Sequence, residues 1–473
     1  MKSFEGLGII PVDILKQGTN AITRYFLDLF SSPEADPLYR SKLMVVGFQN
    51  VGKTTILDCV FPMLDLVETE GGFFSRKKSY WLKLEGNQLS KFEHENDEHP
   101  HKNKITILEN RHWNVETGKE NAIILRPNSK TKGEKEIKIF FPGEHSHDAW
   151  LARLRRICMN EATHGIEIQI PKIKHPEIQK YFESRAGQLE LSVWDFAGQH
   201  DYYNSHHYFL STRSVFMVLW KMNEGEKGLE GLRFWFKSLS VHLSGEKQEG
   251  KLFSILVVGT FLDHPSVVQG IVAQTLREKQ VQEIAAESGL GKEELKYLEV
   301  SCATLKNVEL VRESILKEVF SHSYMGERVP KSYFAIQQFL KEMKEKLEKE
   351  KAAFPMIELT ELVAKFGDAD LVKRALKLLS LWGDCIYFDY PAELANIVIL
   401  DPRFLTKDVL AQFFKPDMIQ FFKDGILEHS NLELILPRFP KNLYPTIISL
   451  LEKKYGIYFT PVSIPLQCLR TTY

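Results

Sequence analysis

One octapeptide constrains this chain more than any other stretch. Gly47-Phe48-Gln49-Asn50-Val51-Gly52-Lys53-Thr54 lies between the apolar run Leu43-Met44-Val45-Val46 and the helix-opening Thr55-Ile56-Leu57. A strand that ends in G-x-x-x-x-G-K-[ST] and passes into a helix turns its backbone N–H groups and the positive end of the helix dipole toward one point. That arrangement binds phosphate. Lys53 is expected to reach the β- and γ-phosphates of a nucleoside triphosphate, and the Thr54 hydroxyl to ligate Mg²⁺. Gly47, Asn50, Val51, Gly52 and Thr55 complete the expected binding loop. The loop implies a nucleotide but does not choose the base.

Later segments narrow the choice. Leu189-Glu190-Leu191-Ser192-Val193-Trp194 alternates like a strand and runs into Asp195-Phe196-Ala197-Gly198-Gln199. A D-x-x-G turn there would hold the metal through Asp195 and meet the γ-phosphate with the Gly198 N–H, while Gln199 orients an attacking water. The apolar runs Val215–Trp220 and Leu252–Val258 suit strands covered on both faces. The second ends at Gly259-Thr260-Phe261-Leu262-Asp263, the place for base recognition. A carboxylate at Asp263 accepts two hydrogen bonds from guanine N1–H and its exocyclic amine, a donor pair that adenine lacks. Thr260 belongs to the same loop. The loop resembles the [NT]-K-x-D of small GTPases with Phe261 in place of the Lys, whose stem in that family packs on the base and braces the phosphate loop; the resemblance therefore implies an aromatic face without that brace. Leu298-Glu299-Val300 ends at Ser301-Cys302-Ala303, which resembles the S-A-type loop of those proteins and so implies a backbone N–H facing guanine O6.

A nucleotide switch also needs a threonine that senses the γ-phosphate and completes the metal shell. The nearest suitable one is Thr163, about 110 residues beyond the loop, a gap that calls for a folded insertion. Residues 72–160 read as that insertion, with several short strands followed by a helix whose apolar face carries Trp150, Leu151, Leu154, Ile157 and Cys158. The stretch Tyr80-Trp81-Leu82-Lys83-Leu84-Glu85-Gly86-Asn87-Gln88-Leu89, with Trp150 in the closing helix, resembles a pleckstrin-homology domain. The resemblance implies a protein-binding, spacing or phosphoinositide role. Arg76, Lys77, Lys78 and Lys83 form the basic set a lipid would use, and Glu93, Glu95, Asp97 and Glu98 follow it.

The five segments together look like a Ras-like GTPase. Asp195–Gln199 with Tyr202-Tyr203 and Ser205-His206-His207-Tyr208-Phe209-Leu210 resembles more narrowly the Roc domain of Roco proteins. Farther on, Ile399-Leu400-Asp401-Pro402-Arg403-Phe404-Leu405 resembles the I-L-D-P-x-W-L signature of the COR domain, with Phe404 in place of Trp. The implied fold class is α/β. It comprises a Ras-like domain with a mostly parallel sheet and helices on both faces, an inserted β-rich PH-like domain, and a C-terminal α+β, winged-helix-like COR segment. The expected divisions are 1–37 (a capping helix and linker, like the end of a leucine-rich-repeat array), 38–71 and 161–324 (the two parts of the GTPase), 72–160 (the insertion) and 325–473 (the first part of COR). The second COR half, which carries dimer contacts in the family, is expected to lie outside the chain, which leaves dimerisation open.

Composition agrees with this class. The net charge is −1 over 473 residues, so no global field favours nucleic acid. The five cysteines are scattered without metal-ligand spacing, as in a reducing compartment. The expectation is a cytoplasmic GTP/GDP switch that uses Mg²⁺, hydrolyses GTP slowly, acts on protein effectors or its own neighbouring domains, and reaches membranes only peripherally through residues 72–160. The alternative is a weak or inactive nucleotide fold serving as an adaptor. Gln49, where a glycine is usual, and Phe261 favour the alternative. Arg213 is a candidate to assist catalysis by proximity alone, and a surface residue before a strand is the reading favoured for it.

Overall fold

The computed structural model describes residues 11, 14, 18–30 and most of 36–455. Residues 71–76, 129–135, 160–165, 199–209, 244–250 and 456–473, with shorter stretches, lie outside the description. The chain enters through helix α1 (Thr19–Phe30) and a short strand, β1 (Asp36–Leu38). Strand β2 (Arg40–Val46) and helix α2 (Lys53–Val60) then frame the phosphate-loop sequence.

Directly after α2 the chain leaves for a second sheet. Strands β3 (Met63–Glu70), β4 (Lys78–Glu85), β5 (Gln88–Phe92), β6 (Ile105–Ile107), β7 (Trp113–Thr117), β8 (Ala122–Pro127) and β9 (Ile137–Phe140) pair antiparallel in the order β6-β5-β4-β3-β9-β8-β7. Helix α3 (Glu144–Met159) closes it. The inserted sheet therefore starts at Met63, not at residue 72 as the sequence reading had it, because β3 pairs with both β4 and β9. Inward residues of alternating strands, among them Leu82, Leu84, Ile123, Leu125 and Ile139, pack on Trp150 and Leu154 of α3. Trp150 is fully buried, and its indole Nε1–H donates to Asp65 Oδ2 at 2.6 Å, satisfying the polar end of a large apolar side chain.

The first sheet resumes with β10 (Ile166–Gln169), α4 (Pro176–Phe182), β11 (Glu190–Phe196), β12 (Ser214–Lys221), α5 (Glu226–Leu243), β13 (Phe253–Thr260), α6 (Ile271–Glu287), β14 (Leu295–Glu299) and α7 (Val308–Ser321). The strand order is β10-β11-β2-β12-β13-β14, parallel except for the antiparallel edge strand β10. The continuous apolar runs of β2, β12 and β13 follow from burial on both faces. Met44, Val46, Phe216, Val218 and Val257 point to a cluster with Trp235 and Phe236 of α5. Leu43, Val45, Val215, Met217 and Val258 point to the other side, against Ile56, Leu57, Val311 and Ile315. The phosphate loop leaves the C-terminal end of β2, where the strand order reverses direction, the usual crevice for a ligand in such sheets.

Strand β15 (Glu327–Val329) pairs with β1 and leads into the C-terminal segment. There α8 (Lys331–Lys349), α9 (Leu359–Phe366) and α10 (Ala369–Trp382) pack with a small antiparallel sheet of β16 (Met356–Glu358), β18 (Ile397–Ile399) and β17 (Ile386–Tyr387), the centre strand being β18. Phe404 sits in a buried aromatic group with Phe354 and Phe439, at ring-centroid distances of 4.8 and 5.6 Å. Helix α1 docks on this segment. Tyr25 Oη donates to Arg328 O at 2.6 Å, and Asp28 accepts two bonds from Arg374 at 2.8 Å each. Among the described residues no helix is long and apolar enough to cross a membrane.

Candidate functional site

The phosphate loop is shaped by its backbone before any ligand is considered. Gly52 has φ +91°, a left-handed conformation that a side chain resists, and it hands the chain directly to Lys53, the first residue of α2. Lys53 is buried, with Nζ donating to Gly47 O at 2.8 Å and Phe48 O at 2.9 Å. Thr54 Oγ1 donates to Asp195 Oδ2 at 2.5 Å, joining the start of α2 to the end of β11. Gly198 closes on the loop so tightly that a Cβ there would run into Lys53 Nζ and the Gln49 backbone.

The base side is built just as locally. Thr260 Oγ1 lies 2.9 Å from Val51 O and 3.0 Å from Trp220 O, so this hydroxyl ties the end of β13 to the phosphate loop. It supplies the brace that Phe261 was expected to leave missing. Phe261, with φ +63°, carries Lys221 Nζ 5.6 Å from its ring centre, which returns a cation to the neighbourhood of the lost Lys. The third loop is set by Val300 N–H donating to Gly259 O at 2.8 Å and Thr304 N–H to Ser301 Oγ at 3.1 Å.

These pieces border one cavity of about 720 Å³. Asn50, Val51, Gly52, Lys53, Thr54, Thr55, Gly198, Thr260, Asp263, Cys302 and Ala303 line it, with Gln49 and Phe261. Gly47, Asp195 and Ser301 are buried just behind the lining. Thr163 and Gln199 lie outside the described residues. Arg213 is not at this site. Its guanidinium forms a two-pronged buried pair with Glu327, at 2.7 and 3.0 Å, and its proximity in sequence to the D-x-x-G turn was misleading.

Six lining residues were not anticipated: Asp58, Gly86, Asn87, Leu108, Arg156 and Ile157. All but Asp58 belong to the insertion. Its docking on α2 accounts for them. Arg153 donates to Phe61 O at 2.9 Å and to Asp58 O, and the Gly86 N–H donates to Asp58 O at 3.0 Å. From α7, Arg312 reaches Val60 O at 2.7 Å and Glu85 Oε1 at 3.1 Å. Asp58 follows Thr54 by one helical turn, so it could have been flagged by its spacing, but the insertion residues carry no local motif.

The electrostatics fit an anion with a metal. Burial lowers the Lys53 amine to about 8, with Asp195 opposing the shift. Burial raises the Asp195 carboxyl to about 6 against the opposing Thr54 hydrogen bond and the Lys53 charge. A hydroxyl and a carboxylate oxygen in contact, with room for phosphate oxygens beside them, form the hard-oxygen set that Mg²⁺ takes. Among the described residues no group of three or more His, Cys, Asp or Glu side chains could hold a metal from protein alone, so a phosphate ligand would have to share it.

The raised Asp195 value has a signed consequence. The native state holds this proton more tightly than the unfolded chain, so its contribution to stability falls as pH rises from about 4 to about 6 and is level above. Asp195→Asn should remove that fall, making the variant without nucleotide about 2–3 kcal/mol more stable than the parent at pH 7.5. Urea titrations of both chains at pH 4.5 and 7.5 measure it, and an Asn variant less stable at pH 7.5 would contradict the reading.

Fold and loop define a P-loop nucleotide-binding architecture with a Ras-like strand order. The Ras family model matches residues 163–321, beginning after the insertion. The model described as "C-terminal of Roc, COR-A domain" matches residues 330–462. The chain is 28% identical over 453 residues to probable serine/threonine-protein kinase pats1 of Dictyostelium discoideum, covering 94% of this chain and 11% of that protein. It is 22% identical over 494 residues to probable serine/threonine-protein kinase roco8 of the same organism, covering 95% of this chain and 23% of that protein. It is 25% identical over 250 residues to leucine-rich repeat serine/threonine-protein kinase 1 of Caenorhabditis elegans, covering 48% of this chain and 10% of that protein. The chain thus spans between about a tenth and a quarter of the length of these curated relatives. The structure of Methanosarcina barkeri Roco2 RocCORdC bound to GDP shares the fold, with a TM-score of 0.52 at 19% identity over 92% of this chain and 96% of that one. A Ras-family domain followed by a COR-A domain, with similarity to Roco kinases along nearly the whole chain, supports the Roco family.

Proposed function

We propose that this chain is a GTP-binding switch of the Roco type, which hydrolyses GTP slowly to GDP and transmits its nucleotide state through the COR segment and the insertion. The observation that carries the reading is the convergence of three sequence-distant loops, around Lys53, Gly198 and Asp263, on one cavity. In this reading Lys53 and the loop amides hold the phosphates. Thr54 and Asp195 would hold Mg²⁺, which would supply charge neutralisation to the phosphates. Gly198 reports the γ-phosphate, and Thr163 and Gln199 serve as its sensor and its water-orienting group. Asp263 reads the base, with Cys302 and Ala303 alongside. The slow rate in this reading is attributed to Gln49, which lines the cavity with a side chain where Ras-like loops usually carry a glycine.

Asp263→Ala should lower affinity for GDP by about ten- to a hundredfold, from the loss of a charge-assisted pair of roughly 1.5–3 kcal/mol. Affinity for ADP should not change. Titration of both nucleotides against both chains measures it, and an equal loss for GDP and ADP would remove Asp263 from base recognition.

The adaptor reading keeps one specific support, the insertion itself. Its seven antiparallel strands closed by a helix bearing a buried Trp favour a PH-like module. A lipid ligand is less favoured than a protein. Lys77 pairs with Glu120 at 2.9 Å and Lys83 with Glu85 at 2.6 Å, while Arg76 lies outside the described residues. Single-turnover assays separate switch from adaptor, since the switch releases phosphate from GTP and the adaptor does not.

A further inference from the structure

The insertion does more than sit beside the nucleotide cavity, because one of its cations lines it. Arg156, on α3, donates through Nη2 to Asp58 Oδ1 at 2.7 Å and through Nη1 to Glu167 Oε2 at 3.0 Å. Both partners mark a place in the site. Asp58 stands about one turn along α2 from Thr54, about 6 Å along the axis. Glu167 lies opposite Asp195 in the β10–β11 register. These contacts put the guanidinium on the Thr54–Asp195 side of the cavity, where the terminal phosphate of the proposed triphosphate would lie. Its Nε–H is buried and has no hydrogen-bond partner. Glu167 is half exposed, so the bond to it is the weaker tether. The neighbouring Arg153 differs. It is buried against Asp58 and the end of α2, does not line the cavity, and serves only to dock α3.

We propose that Arg156 is a phosphate-binding residue supplied by the inserted domain, leaving Glu167 to contact the terminal phosphate of a bound triphosphate. This rests on the nucleotide reading above. A planar guanidinium carries five N–H donors, and the bonds to Asp58 and Glu167 use two, so Asp58 can keep its hold while other donors turn to phosphate oxygens. The diphosphate lacks that group, so Arg156 stays on its two carboxylates when GDP is bound. The insertion would then sense which nucleotide is present through a single side chain.

The test compares GDP and a non-hydrolysable GTP analogue, each with Mg²⁺, on the full chain and its variants. Arg156→Ala should weaken the analogue at least about tenfold and GDP less than about twofold, since a charge-assisted bond is lost only with the triphosphate. Arg156→Lys should fall between, keeping the charge but losing the fork. Glu167→Gln should act with the opposite sign, tightening the analogue a few-fold by releasing the guanidinium. That variant changes an exposed side chain and keeps the proposal testable if Arg156→Ala fails to fold. Equal weakening of both nucleotides by Arg156→Ala, or Glu167→Gln with no gain for the analogue, would overturn the proposal. A parent chain that binds neither nucleotide would instead remove the underlying reading.

Discussion

Lys53→Ala lowers affinity for GDP and for a GTP analogue by about a thousandfold. The argument starts from burial. Lys53 is only 7% exposed and its ammonium is held by two carbonyls of its own loop, so the site has already met the cost of desolvating it. A phosphate that takes over those donors gains charge-assisted bonds in a dry setting, and losing two of them removes roughly 4 kcal/mol. Alanine leaves the loop carbonyls facing the phosphate with no cation between them. The same burial sets a pH dependence. Because the free amine titrates near 8, nucleotide affinity should fall above that pH, by up to about tenfold per pH unit, as uncharged Lys53 must first regain its proton. Fluorescence titration between pH 7 and 9 reads both effects. A variant that binds as tightly as the parent would place the phosphates elsewhere.

Arg213→Ala costs about 3–5 kcal/mol of stability and leaves the nucleotide contacts in place. Arg213 and Glu327 form a paired fork at 2.7 and 3.0 Å, with side chains 8% and 4% exposed, and Tyr324 stacks beside the guanidinium at 5.2 Å. Glu327 belongs to β15 and stands opposite Leu38 of β1. The pair therefore pins the start of β12 to the strand that leads into the C-terminal segment. Removing one partner strands a carboxylate in a site closed to water, which is where the cost arises. The double replacement Arg213→Met with Glu327→Met should recover most of it, since two apolar groups leave no charge unpaired. Urea denaturation of the three chains decides this. A single variant within 1 kcal/mol of the parent would mean that water reaches the pair.

Local patterns were readable from the chain because local geometry makes them. The phosphate loop needs its glycines and Lys53 within a few residues, and Asp195–Gly198 and Thr260–Asp263 are each a strand end with a turn. Trp150 was recognisable as the anchor of the inserted sheet from the apolar face of its helix. What could not be read depends on how distant elements meet. Thr260 was legible as part of the base loop, but its bracing of the phosphate loop depends on carbonyls of two other segments, which its own sequence neighbours do not show. Arg213 looked close to the site along the chain, yet its partner is 114 residues away. The start of the insertion was misjudged because β3 follows α2 almost without a loop, and only its pairing with β4 and β9 assigns it to the second sheet. Arg156, Asn87 and Leu108 reach the cavity only because Arg153 and Arg312 seat the insertion on α2 and α7.

The heat stability of the full chain with Mg²⁺ and saturating GDP, GTP analogue or ATP tests the central claim most directly. At about a hundred times its dissociation constant, each guanine nucleotide should add about 2.7 kcal/mol, and ATP at the same concentration should add nothing. Equal stabilisation by ATP, or none by either guanine nucleotide, would contradict the assignment of this cavity to a guanine nucleotide.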